Sequence, residues 1–224
     1  YHVSKKNEKI NFSVPTGNFG DIYAGFIAKK MGLPINKLII ATNSNDILKR
    51  VIKTGIYKPD KVVQTVSPSM DIQVASNFER LIFDAYSNDS NKISKLMNDL
   101  KNEGEFTIGK DELGKIKENF YAESLSENET KLVIKKMYDG QSVLIDPHTA
   151  VAVGVAEKIS LDGTIVILST AHSAKFSNVV MKETNIKPEL PASLKHILVK
   201  KEKYIKLPKE LKKVKNFILE KVKE

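Results

Sequence analysis

Hydrophobic residues along this chain repeat with two alternating periods, one typical of strands and one typical of helices. Strands are predicted where short apolar and β-branched runs occur, at 11–14, 37–41, 62–66, 142–145 and 164–169. Helices are predicted where apolar residues recur at helical spacing, at 22–31, 46–53, 73–87, 126–138 and 147–159. This alternation predicts an α/β fold, with a mostly parallel open sheet and helices on both faces.

One segment of the chain departs from the alternation. Residues 87–119 are polar and charged, are interrupted by glycines, and carry a single helical stripe of Ile93, Leu96, Met97 and Leu100. We predict a helical insertion there, and interpret its stripe as local core rather than part of a cofactor site. We expect 1–86 and 120–182 to form one α/β domain, and the lysine-rich residues 183–224 to form a C-terminal helical tail.

Two helix starts carry specific local signals. Ser126 followed by Glu129 has the spacing of a capping box, in which each residue bonds the backbone of the other. Pro147 is suited to the first turn of a helix, where its missing N–H costs little. The run from 142 to 169 is therefore predicted to be a strand, a buried helix and a second strand.

Composition limits the class of protein. The 224 residues, 41% of them hydrophobic, are enough to bury one sizeable core. Apolar runs such as 38–41 are quickly ended by polar residues, so we expect no membrane-spanning segment. The chain has no cysteine, which excludes disulfides and thiolate metal sites. A reducing compartment, the cytoplasm, is the expected location.

The formal net charge of +9 raises the question of nucleic-acid binding. The excess is concentrated in 195–206 and 209–223, where lysines mix with apolar and acidic residues at helical spacing. Arginine, which is suited to bidentate phosphate and base contacts, occurs only at Arg50 and Arg80. We interpret the lysines as solvated helix faces and expect no nucleic-acid partner, since a diffuse basic surface gives only salt-sensitive binding.

A short glycine loop lies between the first predicted strand and the first predicted helix. Its residues 14–21 read Val-Pro-Thr-Gly-Asn-Phe-Gly-Asp. Gly17 and Gly20 allow backbone N–H groups to approach an anion, and the helix adds about half a positive charge at this end. The same spacing also serves a tight turn. The loop lacks the residues of a nucleotide P-loop and of the dinucleotide fingerprint, and Asp21 is typical of a helix cap or first-turn acid.

Four segments resemble, in the same order, the second half of threonine synthases, which are fold type II pyridoxal-phosphate enzymes with a tryptophan synthase β-like architecture. They are SVPTGNFGDIYAG at 13–25, ATNSND at 41–46, DPHTAV at 146–151 and STAHSAKF at 169–176. The resemblance implies that Gly17, Asn18, Phe19 and Gly20 hold the phosphate of pyridoxal 5'-phosphate (PLP). It also implies that Thr170 meets the pyridine nitrogen, whereas an isolated strand-end threonine usually satisfies a local backbone group.

The implied reaction is PLP-dependent carbon–oxygen lyase chemistry, which converts O-phospho-L-homoserine and water to L-threonine and phosphate. Members of the family carry the Schiff-base lysine in an upstream Phe-Lys-Asp element, and no Phe-Lys-Asp occurs in this sequence. We therefore expect a carboxy-terminal fragment that contains no catalytic residue and is inactive alone. Its expected partners are the N-terminal part of the same enzyme and the substrate.

Two other functions remain open from the sequence. One is another fold type II PLP enzyme, such as an amino-acid dehydratase. The other is a non-catalytic protein that binds a phosphorylated ligand through the glycine loop. His148 and His172 lack carboxylates at metal-ligand spacing, so we predict no metal site and leave their roles open. Asn43, Asn45 and Asp46 follow a predicted strand and are more typical of a turn than of a ligand site.

Overall fold

The structure, a computed structural model, describes residues 8–222. The chain divides into two compact units, the first ending at Pro188 and the second beginning at Glu189. The first unit contains all the described strands, which are β1 (Ile10–Pro15), β2 (Ile35–Thr42), β3 (Ile56–Tyr57), β4 (Phe106–Thr107), β5 (Phe120–Ser124) and β6 (Ile165–Ile167).

The first unit also contains helices α1 (Gly20–Lys30), α2 (Ile47–Thr54), α3 (Phe78–Ala85), α4 (Ser90–Glu103), α5 (Lys110–Asn119), α6 (Glu127–Gln141), α7 (Pro147–Lys158) and α8 (Ser177–Thr184). The second unit has a 3₁₀ segment at Ala192–Val199, followed by helix α9 (Leu211–Lys221).

A four-stranded sheet in the order β5-β2-β1-β6 forms the centre of the first unit. Each of its pairings is parallel, and Phe12 of β1 lies opposite Leu38 of β2 on one side and Val166 of β6 on the other. All four carboxyl ends therefore meet at one edge of the sheet, where open α/β folds bind their ligands.

Both faces of the sheet are covered, which confirms the predicted α/β architecture. Alternate residues of β2 point to opposite faces: Leu38 and Ile40 join a core with α1, α2, α3 and α5. Ile39 and Ala41 join a second core formed mainly by α6 and α7. Nearly continuous apolar strands of this kind are typical of parallel sheets buried on both sides.

Two strand predictions need correction. Residues 62–66 have no ladder partner, because the backbone of Val63 is bonded at both its N–H and its C=O by the Asn45 side chain, each at 2.8 Å. Residues 142–145 are also not a strand. The strands β3, β4 and β5 were not predicted; β5, the longest of them, is specified by its pairing with β2 from Leu38 to Thr42 more than by its own composition.

The predicted strand, helix and strand from 142 to 169 is accordingly wrong in its first element. The chain instead runs from β5, at one edge of the sheet, through α6 and α7 to β6 at the other edge. The predicted helix at 73–87 is shorter than expected, since α3 begins at Phe78.

Segment 87–119 is mostly helical, as predicted, and contributes to the main core. Ile93 of α4, Phe106 of β4 and Ile116 of α5 are buried in the same cluster as Ile22 of α1. Strand β4 pairs antiparallel with β3. Leu96, Met97 and Leu100 pack against this cluster rather than forming a separate one. The boundaries of the insertion and of the tail stay predictions.

Candidate functional site

The glycine loop connects the end of β1 to the start of α1 at the carboxyl edge of the sheet. Thr16 fixes the loop's entry: its N–H donates to the Ala41 carbonyl at 2.8 Å, and its hydroxyl donates to the Val14 carbonyl at 2.6 Å. Helix α1 then begins at Gly20, and its N-cap residue, Phe19, makes no capping hydrogen bond with its side chain. Gly20 N–H donates to Asn18 Oδ1 at 2.9 Å, while the first-turn N–H groups that follow it have no intrahelical acceptor.

The side chain of Phe19 packs this loop against the main core. Its side chain is only 1% exposed, and its ring lies 5.2 Å from the Phe78 ring and 5.7 Å from the Phe120 ring. Its φ of 71° is left-handed, which is strained for a bulky residue and is maintained here by burial of the ring. Any contact of Phe19 with a ligand must therefore come from its backbone and not from its side chain.

A second loop packs directly against the first. A Cβ added to Gly17 would come within 2.7 Å of the Ser69 carbonyl oxygen, so this close approach requires glycine. The backbone N–H and the side-chain amide of Asn77 also donate to the Asn18 carbonyl, at 3.0 and 3.1 Å. The conformation of the glycine loop is thus set by contacts with residues distant in sequence.

The loop that carries Ser69 is held by a network of buried and half-buried polar side chains. Asp71 accepts hydrogen bonds from the side-chain amides of Asn43 and Asn45, at 2.8 and 3.1 Å. It also accepts from the backbone N–H and the hydroxyl of Thr65, at 2.8 and 2.6 Å. We call Asn43, Asn45, Thr65, Ser67 and Asp71 the asparagine network. Its members bond one another, so Asn43 and Asn45 are structural, as the sequence suggested.

The glycine loop opens onto a cavity of about 340 Å³. All the residues that the resemblance pointed to line this cavity, namely Gly17, Asn18, Phe19, Gly20 and Thr170. Three further residues with ionisable side chains, Asp21, His148 and Lys175, also line it. Lys175 was not predicted as a site residue, although it lies within 169–176, one of the four segments that carry the resemblance.

The two central histidines differ in their surroundings. His172 is exposed, and its Nδ1 accepts from the Ala174 N–H at 3.1 Å, which caps a 3₁₀ turn at Ser173–Phe176. His148 is 5% exposed, with Nδ1 3.0 Å from Asp146 Oδ1. Its other ring nitrogen has no hydrogen-bond partner. A local sequence signal for this pair was available, since Asp146 precedes His148 at the start of a helix.

Asp146 is the N-cap of α7 and remains a carboxylate. It accepts from the backbone N–H groups of His148 and Thr149, at 2.8 and 3.4 Å, and from the Thr149 hydroxyl. Burial alone would raise the pKa of Asp146, but hydrogen bonds from the His148 ring, the Thr149 hydroxyl and the His148 N–H lower that pKa overall. Because a carboxylate can only accept, His148 Nδ1 must carry the hydrogen in this pair.

No group of three or more possible metal ligands occurs within residues 8–222. In the same part of the chain, no helix has both the length and the apolar character needed to cross a bilayer.

Comparison with known proteins agrees with this geometry. The family model "Threonine synthase, C-terminal" matches residues 149–218. Threonine synthase of Pseudomonas aeruginosa is 40% identical over 215 residues, which cover 95% of this chain. The chain belongs to the threonine synthase family. Threonine synthase of Saccharomyces cerevisiae is 42% identical over 229 residues, covering 90% of this chain.

Solved threonine synthase structures share the fold. A PLP-bound threonine synthase from Brucella melitensis superposes with a TM-score of 0.91 at 44% identity, over 97% of this chain and 47% of that one. The yeast enzyme superposes with a TM-score of 0.84. The chain spans less than half the length of its relatives, 46% for Pseudomonas aeruginosa and 45% for Saccharomyces cerevisiae.

Proposed function

We propose that this chain forms the part of a threonine synthase that binds the phosphate and the ring nitrogen of PLP. The complete enzyme would convert O-phospho-L-homoserine and water to L-threonine and phosphate. The observation that carries the proposal is that the start of α1 and Thr170 open onto one cavity. Family membership and the PLP-bound relative support the choice of cofactor.

The phosphate end of the cavity has the chemistry that this group requires. Glycines at 17 and 20 bring backbone close to the ligand, and the N–H groups of the first turn of α1 provide donors at the positive end of the helix dipole. Lys175 adds a cation on the same cavity. A cavity of about 340 Å³ is within the size range of small-molecule and cofactor sites.

We propose that Thr170 contacts the ring nitrogen. It follows β6 at the carboxyl edge of the sheet and lines the cavity. A neutral hydroxyl can donate to or accept from a pyridine nitrogen but favours its protonated form much less than a carboxylate does. When bound, PLP would supply the electron sink that stabilises carbanions next to the amino group, and Thr170 would moderate that capacity.

The rest of the active site would come from the region of threonine synthases that this chain does not match. No Phe-Lys-Asp element occurs in the sequence, so the lysine that binds PLP covalently is assigned to that region. The substrate contacts are assigned there as well. We therefore propose that the N-terminal part of a threonine synthase is this chain's partner and that the chain alone is inactive.

A direct test is titration of the purified chain with PLP, followed by the absorbance and fluorescence of the cofactor. Saturable binding is expected, and Lys175→Met should weaken it about tenfold, equivalent to about 1.4 kcal/mol. The matched control is Lys135→Met on the exposed side of α6, which should bind like the wild type. Absence of saturable binding, or equal affinity of the two variants, would contradict the assignment.

Activity is tested by mixing this chain with the separately produced first half of the Pseudomonas aeruginosa relative. Threonine formation from O-phospho-L-homoserine is expected only in the mixture. Borohydride reduction should then place PLP on a lysine of the added half. A reduced PLP adduct on a specific lysine of this chain would instead show that the catalytic lysine lies here, and turnover of serine or threonine but not phosphohomoserine would indicate a dehydratase.

A non-catalytic phosphate-binding protein is the second candidate, because the start of α1 on the cavity suits any phosphate group and not only that of PLP. The same titration separates the two functions. Binding of inorganic phosphate as tightly as PLP would indicate a general phosphate site. Much tighter binding of PLP, with phosphate competing weakly, is the result expected for a cofactor site that also contacts the ring.

A further inference from the structure

His148 is set apart from the other polar side chains of the described residues by one unsatisfied atom. Its Nε2 is the only buried side-chain nitrogen or oxygen between residues 8 and 222 without a hydrogen-bond partner. The whole residue is 5% exposed, and it lines the cavity that contains the glycine loop and Thr170. Buried polar atoms are rarely left unpaired in folded proteins, and exceptions call for a functional explanation.

The ring of His148 is held in one orientation. Asp146 accepts from Nδ1 at 3.0 Å on one side, and the Phe176 ring lies 4.8 Å away between centroids. Asp146 is fixed in turn by hydrogen bonds from the Thr149 hydroxyl and from the first-turn backbone of α7. With Nδ1 committed to the carboxylate, Nε2 is the ring nitrogen that remains for a ligand in the cavity that His148 lines.

We propose that His148 is a phosphate-binding residue of this site, whose protonated Nε2 donates a hydrogen bond to an oxygen of the bound phosphate group. The inference rests on the proposed function and extends it. Beside His148, the ionisable groups lining the cavity are Lys175 and Asp21, and Asp146 lies behind the ring. The Asp146 carboxylate keeps Nδ1 as a donor through direct hydrogen-bond contact, so a bond to a phosphate oxygen is left to Nε2.

Two observations favour a phosphate group over a neutral partner. The same cavity presents the start of α1, where the N–H groups of Asp21 and Ile22 have no intrahelical acceptor, and the Lys175 cation. Both features suit an anion. Two sources of phosphate share this chemistry, the phosphate of PLP and a free or substrate phosphate, and the experiment below distinguishes them.

The test uses the ¹⁵N-labelled chain and long-range ¹H–¹⁵N correlation spectra of its histidine rings, with His148 assigned from the His148→Gln variant. In the free chain, we expect the pattern of a neutral ring protonated at Nδ1. Saturation with PLP should convert it to the pattern of a ring protonated at both nitrogens. His172, which caps a turn, should keep its pattern and is the internal control.

The source of the phosphate is identified by changing the ligand. Conversion by PLP alone assigns the contact to the cofactor phosphate. Conversion only when inorganic phosphate is added to the PLP complex assigns it to a second phosphate. Pyridoxal, which lacks the phosphate, should leave the spectrum of His148 unchanged. Conversion by pyridoxal would overturn the proposal, because the ring rather than a phosphate would then be the partner.

Variants supply an independent measurement of affinity for the phosphate source that the spectra identify. His148→Leu, which cannot donate, should weaken binding of that ligand about tenfold, whereas His148→Gln, whose amide can donate, should recover most of the loss. His172→Leu is the matched control and should bind normally. If PLP does not bind the wild-type chain, the proposed function fails together with this inference. If PLP binds while the His148 spectrum and the Leu variant are unaffected by either phosphate source, only this inference fails.

Discussion

Two groups of polar side chains lie at the same edge of the sheet and differ in whether their hydrogen bonds are complete. The asparagine network follows β2, and within it the Asp71 carboxylate accepts hydrogen bonds from Asn43, Asn45 and Thr65. The cavity group lies around the ends of β1 and β6. There, His148 Nε2 has no hydrogen-bond partner, and the N–H groups of Asp21 and Ile22 in the first turn of α1 have no intrahelical acceptor. The first group holds a loop in place, and the second is the group that we propose binds a ligand.

This difference distinguishes structural polar groups from candidate ligand-binding groups even where their residue types are similar. Asn43 is 2% exposed and His148 is 5% exposed, so burial does not distinguish them. Completeness of hydrogen bonding does, since a satisfied group has nothing left to offer a ligand. The two groups also meet: Gly17 of the cavity packs against Ser69, which belongs to the loop that the asparagine network holds.

The largest effect should follow from opening the asparagine network. Asp71→Ala leaves the buried amides of Asn43 and Asn45 without their shared acceptor, and should lower the free energy of unfolding by about 3 kcal/mol. Urea denaturation followed by circular dichroism measures it. Asp139→Ala, on the exposed side of α6, is the control and should change stability by less than about 0.5 kcal/mol. Equal stabilities would show that the network is not structural.

A substitution where the two groups meet should have the next largest effect. Gly17→Ala places a methyl group 2.7 Å from the Ser69 carbonyl oxygen, so backbone must move. We expect a loss of about 2 kcal/mol in unfolding free energy and at least about tenfold weaker PLP binding.

Gly140→Ala is the matched control for that substitution. Gly140 lies within α6, and an added Cβ there meets nothing within 4 Å. Because alanine favours helix over glycine, this variant should gain about 0.5 to 1 kcal/mol and bind PLP normally. If Gly17→Ala behaved like Gly140→Ala, the close packing of the two loops would have no role in stability or binding.

The local parts of this fold could be predicted from the sequence. The capping box is confirmed, with Ser126 N–H donating to Glu129 Oε2 at 2.8 Å. It was predictable because the interacting residues are only one helical turn apart. Pro147 lies in the first turn of α7 for a similarly local reason. The α/β class was predictable because many residues along the chain contribute to the alternating strand and helix periods.

The predictions that failed concern segments whose structure depends on partners distant in sequence. Residues 62–66 have the composition of a strand, yet the backbone of Val63 is bonded by the Asn45 side chain and the N–H of Thr65 donates to Asp71. Strand β5 contains Glu123 and Ser124 and is specified by its pairing with β2. Similarly, the resemblance pointed to the loop and Thr170, while the unpaired nitrogen of His148 could be seen only once the cavity was assembled.

A smaller effect is expected from substitution of Asp146, which is hydrogen-bonded to the His148 ring of the cavity group. Hydrogen bonding lowers its pKa below the ordinary value of 3.8, so its contribution to stability is complete above pH 3.8 and is lost as pH falls through the folded-state pKa. Asp146→Asn should cost about 1 kcal/mol at neutral pH. The difference from the wild type should shrink in denaturation measured below pH 3.8. A constant difference, or the same response in Asp139→Asn, would contradict this role.

The smallest effect on stability is expected from substitution of Thr170. The same substitution is the sharpest test of the cavity group. Its side chain is exposed at the cavity, so Thr170→Val should leave the free energy of unfolding within about 0.5 kcal/mol of the wild type. It should weaken PLP binding about threefold, since one neutral hydrogen bond is lost. Thr170→Asp should instead shift bound PLP towards the protonated pyridine, visible in ¹⁵N spectra of labelled cofactor, and should reduce turnover in the reconstituted enzyme. A Val variant that binds normally, together with an Asp variant that leaves the cofactor nitrogen unprotonated, would place Thr170 among the satisfied scaffold residues instead.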